Sequence, residues 1–151
     1  MSDPLRRLLA LDIGSARIGV ATANTIARIA SPHSFIPNND EVIDAIVEII
    51  KTEQIDELIV GLPLNIEGKE TEQTKYINQF VAKLKPQLDI PTKYSDESST
   101  SKLAEQQLNA AKKQYDKGDI DALSASYILQ RYLDDATPVK VSDQEGLETI
   151  N

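Results

Sequence analysis

The sequence predicts one α/β domain, and three observations indicate this class. The chain of 151 residues is long enough for one core and short for two. Its first quarter contains three short β-type runs in close succession, which is typical of an antiparallel meander. Helical and strand patterns then alternate, as they do where helices join parallel strands. A hydrophobic content of 40% excludes a chain that is disordered throughout.

The three strands of the meander are predicted from their apolar runs. Leu8 to Asp12 is continuously apolar until it ends in an acid just before Gly14, which is typical of a buried strand entering a turn. The second run covers Arg17 to Thr22 and the third covers Arg28 to Ile36. Because only short polar segments separate them, we expect three neighbouring antiparallel strands.

A helix and a buried strand are predicted after the meander. Asn39 and Asp40 precede apolar residues at helical spacing and are suited to cap that helix and to complement its dipole. Leu58 to Leu62 is the next apolar run, and Pro63 closes it. The apolar positions of the helix are Val42, Ile43, Ile46, Ile49 and Ile50.

The alternation continues with a second helix from about Thr71 to Leu84 and a strand from Pro91 to Tyr94. A third helix is expected to begin near Ser99. Helix, strand, helix and strand in this order favour a sheet that is parallel on this side.

Two residues mark the start of the last predicted helix. Gly118 is expected to break the third helix, and Asp119 can cap the last one, which runs to about Tyr132. Residues 134–151 carry five acids and one lysine and show no periodicity. We therefore expect a domain over residues 1–133 and an acidic, flexible tail over residues 134–151.

Composition excludes several classes of function. The net charge of -8 excludes a protein that attracts nucleic acid by its overall charge, so any such site must be local. The absence of cysteine excludes a disulfide framework, a thiolate metal site and a cysteine nucleophile. No apolar stretch approaches the length of a signal peptide core or a membrane helix, so we expect a cytoplasmic protein that does not contact membranes.

Asp12 and Glu97 are candidate functional acids at strand ends. Asp12 closes the apolar first strand, where a carboxylate is costly unless it is partnered; it could instead cap the turn at Gly14. Glu97 follows the fifth strand, at the edge where open α/β sheets bind ligands, although taken alone it is better explained as a solvated loop acid.

Asp121 is the sharpest candidate. It shares one face of the last helix with Ala125, Ile128 and Tyr132, so a carboxylate lies on the otherwise buried side. Stabilisation by the helix dipole is the less favoured alternative. Together with Asp12 and Glu97, Asp121 would form an all-oxygen site for one or two Mg²⁺ or Mn²⁺ ions, of the kind that two-metal phosphodiester hydrolysis uses.

Basic residues near Asp121 could bind substrate. Lys112, Lys113 and Lys117 cluster at the end of the third helix, where they either complement its dipole or contact phosphates. His33 is the only histidine, and without a second histidine or a cysteine it has no ligand set for zinc.

Four separated segments resemble the YqgF (RuvX) family, ribonuclease H-like proteins named as pre-16S rRNA nucleases or Holliday junction resolvases. The resemblance spans Leu8 to Tyr132, and its motifs occur in order and at spacing similar to the family's. The segments are Leu11-Asp12-Ile13-Gly14-Ser15-Ala16-Arg17-Ile18-Gly19-Val20-Ala21, Val60-Gly61-Leu62-Pro63-Leu64-Asn65, Asp96-Glu97 and Lys117-Gly118-Asp119-Ile120-Asp121-Ala122.

This resemblance implies a ribonuclease H-like fold with a five-stranded mixed sheet of order 3-2-1-4-5, flanked by helices. It implies that Asp12, Glu97 and Asp121 are the catalytic acids and metal ligands. It also suggests that Asn65 lines the site and that Arg17 contacts substrate.

Two positions depart from the family pattern. Ser98 stands where the family usually has an arginine, and a hydroxyl offers a phosphate a single hydrogen bond where a guanidinium offers two. Ala16 replaces a lysine, while Arg17 remains. Fewer positive charges are therefore expected near the metal site than in most of the family.

The leading hypothesis is a metal-dependent nuclease acting on structured RNA, at the 5′ end of pre-16S rRNA, as a monomer or homodimer. A Holliday junction resolvase acting on branched DNA is the close alternative, and an RNA-binding module of weak activity is a third. Asp12-Ile13-Gly14-Ser15 also fits the phosphate-binding turn of actin-like ATPases and sugar kinases. Those enzymes need two such domains, for which the chain is too short.

Overall fold

The computed structural model describes residues 4–63, 71–96, 106–107 and 117–135. They form an α/β domain whose elements, in chain order, are β1 (Arg7–Ile13), β2 (Arg17–Asn24), β3 (Ser31–Pro37), α1 (Val42–Thr52), β4 (Glu57–Leu62), α2 (Glu72–Leu84), a 3₁₀ turn (Lys85–Gln87), β5 (Thr92–Asp96) and α3 (Lys117–Asp135).

One five-stranded sheet of order β3-β2-β1-β4-β5 organises the domain. β1 pairs antiparallel with β2, and β2 pairs antiparallel with β3. β4 is parallel to both β1 and β5. The predicted meander, the parallel half of the sheet and the order 3-2-1-4-5 are therefore confirmed.

The sheet separates two apolar cores. Successive residues of a strand point to opposite faces, so Leu9 and Leu11 of β1 pack with α1 and α2, whereas Leu8 and Ala10 pack with α3. All four side chains are fully buried. Asp12 continues the series of Leu8 and Ala10, and its carboxylate therefore lies on the face that α3 covers.

The predicted start of β3 is wrong by three residues. Arg28 has a left-handed backbone with φ 57°, so the strand cannot begin there and starts at Ser31. The side-chain Oδ1 of Asn24 accepts hydrogen bonds from the backbone N–H groups of Ile26 and Ala27, at 3.0 and 2.7 Å. This Asx-type turn competes with strand pairing, so the connection between β2 and β3 is longer than predicted.

The predicted cap of α1 is also wrong. Glu41 occupies the N-cap position and makes no side-chain cap bond. Asn39 instead forms a turn before the helix, in which its Oδ1 accepts a hydrogen bond from the backbone N–H of Glu41 at 2.9 Å. α2 is capped more fully, since Thr71 and Thr74 exchange hydrogen bonds between side chain and backbone.

The beginning of α3 differs from the prediction. The helix already includes Lys117 and Gly118, so Asp119 lies in its first turn and is not the cap. α3 continues to Asp135, two residues into the predicted tail, and residues 136–151 lie outside the described part. Of the predicted third helix, the structure describes Gln106 and Gln107, which are helical. Within the described ranges, no helix is long and apolar enough to cross a membrane.

Candidate active site

Asp12 lies near the end of β1, beside a tight turn into β2. Asp12 is only 8% exposed. The backbone N–H of Gly14 donates to the carbonyl of Arg17 at 3.0 Å, and a Cβ on Gly14 would lie 2.8 Å from that same oxygen. Glycine is therefore required for the hairpin to close, and the closed hairpin fixes the strand end that carries Asp12.

Gly19 brings Asp121 next to Asp12. Gly19 of β2 is the residue directly opposite Asp12 in the β1–β2 ladder. A Cβ on Gly19 would overlap the backbone carbonyl of Asp121, so the N-terminal part of α3 lies directly on the strand. Glycine inside a strand often marks such a close approach of another backbone. The backbone of Asp121 therefore lies beside Asp12 on one face of the sheet, and the two acids are called the acid pair below.

A second glycine seats the same helix. A Cβ on Gly118 would overlap the ring of Phe35, which lies on β3. The N-terminal part of α3 thus rests on β2 at Gly19 and on β3 at Phe35. Gly118 was predicted to break a helix, but its small size instead permits this contact.

Arg17 holds Asp121 in an ion pair. The Nε of Arg17 donates to Oδ2 of Asp121 at 2.6 Å. The two side chains are 30% and 20% exposed, so the pair is only partly screened by water. A charge-assisted bond of this length orients the carboxylate, and its partial exposure leaves the arginine able to exchange partners.

Asn38 secures the turn beside Asp12 from the other face of the sheet. Its Nδ2 donates to the carbonyl of Gly14 at 2.8 Å and to the hydroxyl of Tyr76 at 2.7 Å. Its backbone N–H donates to the carbonyl of Ala16 at 2.9 Å. Asn38 thereby links the β1–β2 turn to α2, a role for which the sequence offers only the signal of a polar residue after a strand.

The acid pair offers oxygen donors of the kind that Mg²⁺ and Mn²⁺ prefer. Across the described ranges, no three His, Asp or Glu side chains are close enough to hold a single metal ion. Glu97, the predicted third acid, lies outside these ranges. The donor chemistry therefore fits a hard divalent cation held by two described carboxylates and at least one further ligand.

Comparison with known proteins places the chain in a family. The sequence model of RuvX, described as Holliday junction resolvase, matches residues 6–135. The chain belongs to the RuvX family. The matched range runs from just before β1 to the end of α3 and so includes the acid pair and every described strand.

Bacterial members of the RuvX family are similar over most of the chain. A protein of Sulfurihydrogenibium sp. is 44% identical over 132 residues, which is 86% of this chain and 91% of that protein. A protein of Bacteroides fragilis is 36% identical over 135 residues, 86% of this chain and 97% of that protein. Both carry the name "Putative pre-16S rRNA nuclease".

Solved structures of RuvC share the fold. Thermus thermophilus RuvC in complex with a Holliday junction substrate matches with a TM-score of 0.54 at 10% identity. The match covers 84% of this chain and 93% of the RuvC chain. A further T. thermophilus RuvC structure gives 0.51 at 8% identity. The ribonuclease H-like fold expected for a RuvX protein is thus confirmed.

The remaining predicted site residues have different outcomes. Lys117 is exposed in the first turn of α3, close in sequence to Asp121. Arg17 is bound to Asp121. Substrate contacts of Lys117 and Arg17 stay predictions. Asn65, Ser98 and Lys113 lie outside the described residues.

A second buried acid lies at the other end of the sheet, and sequence reasoning missed it. Glu57, 2% exposed, begins β4. Its carboxylate accepts from Arg6 at 2.6 Å and from the hydroxyl of Tyr132 at 2.7 Å, with Lys93 at 4.0 Å. Burial, and then the hydrogen bond and negative charge of Glu57, raise the pKa of Tyr132 to about 12.

Proposed function

We propose that this chain is a metal-dependent nuclease that hydrolyses phosphodiester bonds in structured RNA, at the 5′ end of pre-16S rRNA. One observation carries the proposal: Gly19 lets α3 approach β2 so closely that the backbone of Asp121 lies beside the buried Asp12 on one face of the sheet. The names of the bacterial relatives support the substrate. We expect this activity in the cytoplasm, where bacterial precursor rRNA is made.

In this proposal Asp12, Asp121 and Glu97 hold one or two Mg²⁺ or Mn²⁺ ions. Such an ion, when bound, would neutralise charge on the phosphate and lower the pKa of the attacking water. Asp12 suits this role because its buried position near the end of a central strand leaves its carboxylate little freedom to move. Asp121 suits it because its carboxylate is oriented by Arg17 and remains 20% exposed.

Arg17 has two states in this proposal. Without substrate it neutralises Asp121, which lowers the repulsion between two carboxylates that share one site. With substrate its guanidinium contacts the phosphate, to which it is geometrically suited. Because the chain carries a net charge of -8, we expect weak RNA binding without divalent cations.

A DNA junction resolvase is the second candidate, favoured by the description of the RuvX family and by the RuvC fold. Junction resolution generally needs a symmetric dimer, to match a symmetric substrate. A strictly monomeric chain would therefore count against resolution and for RNA processing.

One experiment separates these candidates. Wild-type protein and Asp121→Asn are incubated with precursor 16S RNA and with a four-way DNA junction, in Mg²⁺, in Mn²⁺ and in EDTA. Asp44→Asn, an exposed acid in the first turn of α1, is the matched control. We expect RNA cleavage by wild type and by the control, and at least about 100-fold slower cleavage by Asp121→Asn, because transition-state charge loses its stabilisation.

The other outcomes are equally informative. Cleavage of the junction alone would assign the DNA activity. Undiminished cleavage in EDTA and by folded Asp121→Asn would contradict the metal-dependent mechanism. RNA binding with no turnover under any condition would support the non-catalytic binding module.

A further inference from the structure

A cavity of about 350 Å³ lies between the start of α1 and the outer face of α2. It is on the opposite face of the sheet from the acid pair, next to the core that α1 and α2 cover. Val42 and Phe80 form an apolar part of its lining, and both are nearly buried. Its polar lining consists of Asn38, Asn39, Asp40, Tyr76, Gln79 and Lys83.

One stripe of α2 supplies an aromatic ring and a cation to this cavity. Tyr76, Phe80 and Lys83 follow each other at i, i+4 and i+7, so they lie on one face of the helix. Tyr76 is 38% exposed although it lines the cavity beside the packed core. Exposed aromatic rings of this kind are the platforms on which proteins stack unpaired bases.

The wall opposite α2 carries hydrogen-bonding groups. Asn39 uses its Oδ1 to accept a bond from the backbone of Glu41, so its amide N–H groups are its remaining donors. The carboxylate of Asp40 accepts N–H groups and repels phosphate, whereas Lys83 attracts phosphate. The lining therefore suits a ligand with a flat ring, polar ring edges and a single anionic group.

Asn38 connects this cavity to the acid pair. The same Nδ2 that donates to the Tyr76 hydroxyl also donates to the carbonyl of Gly14, two residues after Asp12. Ser15 and Ala16 of that turn are exposed. The exposed turn therefore adjoins both the cavity and Asp12, and it is where an RNA strand would cross from one to the other.

We propose that the cavity is a subsite for one unpaired nucleotide of the RNA substrate, with its base stacked on Tyr76 and its phosphate near Lys83. The inference rests on the proposed nuclease function and names where a part of the RNA distant from the cleaved bond is held. A free nucleoside triphosphate fits less well, because one lysine beside a carboxylate cannot neutralise three phosphates.

Binding of a fluorescent single-stranded RNA to full-length Asp121→Asn protein tests the subsite without turnover. Tyr76→Ala and Lys83→Gln are added to this background, and anisotropy is measured in low salt with Ca²⁺. We expect Tyr76→Ala to bind about tenfold more weakly, within the range found when a base loses an aromatic platform. Lys83→Gln is expected to bind more weakly and to show a shallower salt dependence.

Two surface variants serve as matched controls. Tyr94→Ala removes a ring that is 40% exposed on β5, outside the cavity. Lys75→Gln removes a lysine of α2 that pairs with Glu72 at 3.5 Å. Both are expected to bind as the parent does, and thermal unfolding of every variant checks that it is folded.

An RNA with scattered abasic positions distinguishes stacking from a structural role of Tyr76. We expect Tyr76→Ala and the parent to bind abasic RNA equally, because neither can stack a missing base. A Tyr76→Ala defect of equal size on both RNAs would overturn the subsite. So would unchanged binding by Tyr76→Ala and Lys83→Gln, or tighter Tyr76-dependent binding of single-stranded DNA than of RNA.

The subsite proposal and the nuclease proposal can be contradicted independently of each other. If wild type cleaves no RNA while Tyr76-dependent binding of RNA persists, the nuclease proposal fails and the subsite stands. If wild type cleaves RNA and Tyr76→Ala leaves its KM unchanged, the subsite fails and the nuclease proposal stands.

Discussion

The α3 side of the sheet holds an acid at each end, but in different settings. Glu57 is 2% exposed, and its carboxylate contacts a tyrosine, an arginine and a lysine. Asp121 is 20% exposed and is held by Arg17, which is itself 30% exposed. A carboxylate enclosed by several partners stabilises one arrangement. A carboxylate held by a part-exposed arginine can exchange that partner for a metal ion, and the released arginine can bind a phosphate.

Replacing Gly19 with alanine should have the largest effect, because it separates the acid pair. The added Cβ overlaps the carbonyl of Asp121, so α3 must move away from β2. We expect a loss of about 3 kcal/mol in the free energy of unfolding, together with loss of cleavage. Ala21→Gly, on the same buried face, should cost only about 1 kcal/mol and retain cleavage. Urea denaturation measures both, and a fully stable Gly19→Ala protein would contradict the described approach.

Glu57→Gln should separate stability from activity. The substitution leaves Arg6 and Lys93 without their shared negative charge, and we expect a loss of about 1–3 kcal/mol in unfolding free energy. The rate of cleavage per folded molecule should not change. Glu48→Gln, an exposed acid of α1, should alter stability by less than about 0.5 kcal/mol. A large fall in the cleavage rate of folded Glu57→Gln would show that the two ends are coupled.

Arg17→Gln should make the acid pair a better cation site. Since Asp121 then has no competing guanidinium, Mn²⁺ should bind about two- to fivefold more tightly, as expected for loss of a part-exposed ion pair worth up to about 1 kcal/mol. Arg6→Gln, at the opposite end, is the control and should leave Mn²⁺ binding unchanged. Free Mn²⁺ can be quantified by electron paramagnetic resonance. Weaker Mn²⁺ binding by Arg17→Gln would mean that Arg17 organises the site and does not compete for it.

The smallest effect concerns the pH dependence of stability. The pKa of Tyr132 is raised from 10.0 to about 12, so its contribution is fully present below pH 10 and is lost as the pH rises through 12. Tyrosinate absorbance of the folded protein should therefore show a late-titrating tyrosine, which disappears in Tyr132→Phe. Burial also raises the pKa of Tyr127, so the variant is needed to assign the late phase. An unchanged titration curve in Tyr132→Phe would contradict the assignment.

The strand order and the acid pair could be anticipated from sequence, because each depends on local patterns and on ordered motifs. Asp121 was noticed because a carboxylate interrupts the buried face of its helix. The role of Gly19 could not be derived, since it depends on which helix crosses that strand. The cluster around Glu57 joins residues from three distant segments of the chain. The predicted β4 also begins one residue after Glu57, which left this acid outside the strand. The cap of α1 and the start of β3 were wrong because asparagine side chains formed turns of their own.

The ion pair between Arg17 and Asp121 joins residues that are 104 positions apart. Arg17 lies on the hairpin of β1 and β2, whereas Asp121 lies on α3. During synthesis Asp12 and Arg17 therefore leave the ribosome well before Asp121, and the acid pair forms only when α3 packs onto the sheet. On the proposed function, the ribosome that makes this protein is exposed to the nuclease only after α3 has left it.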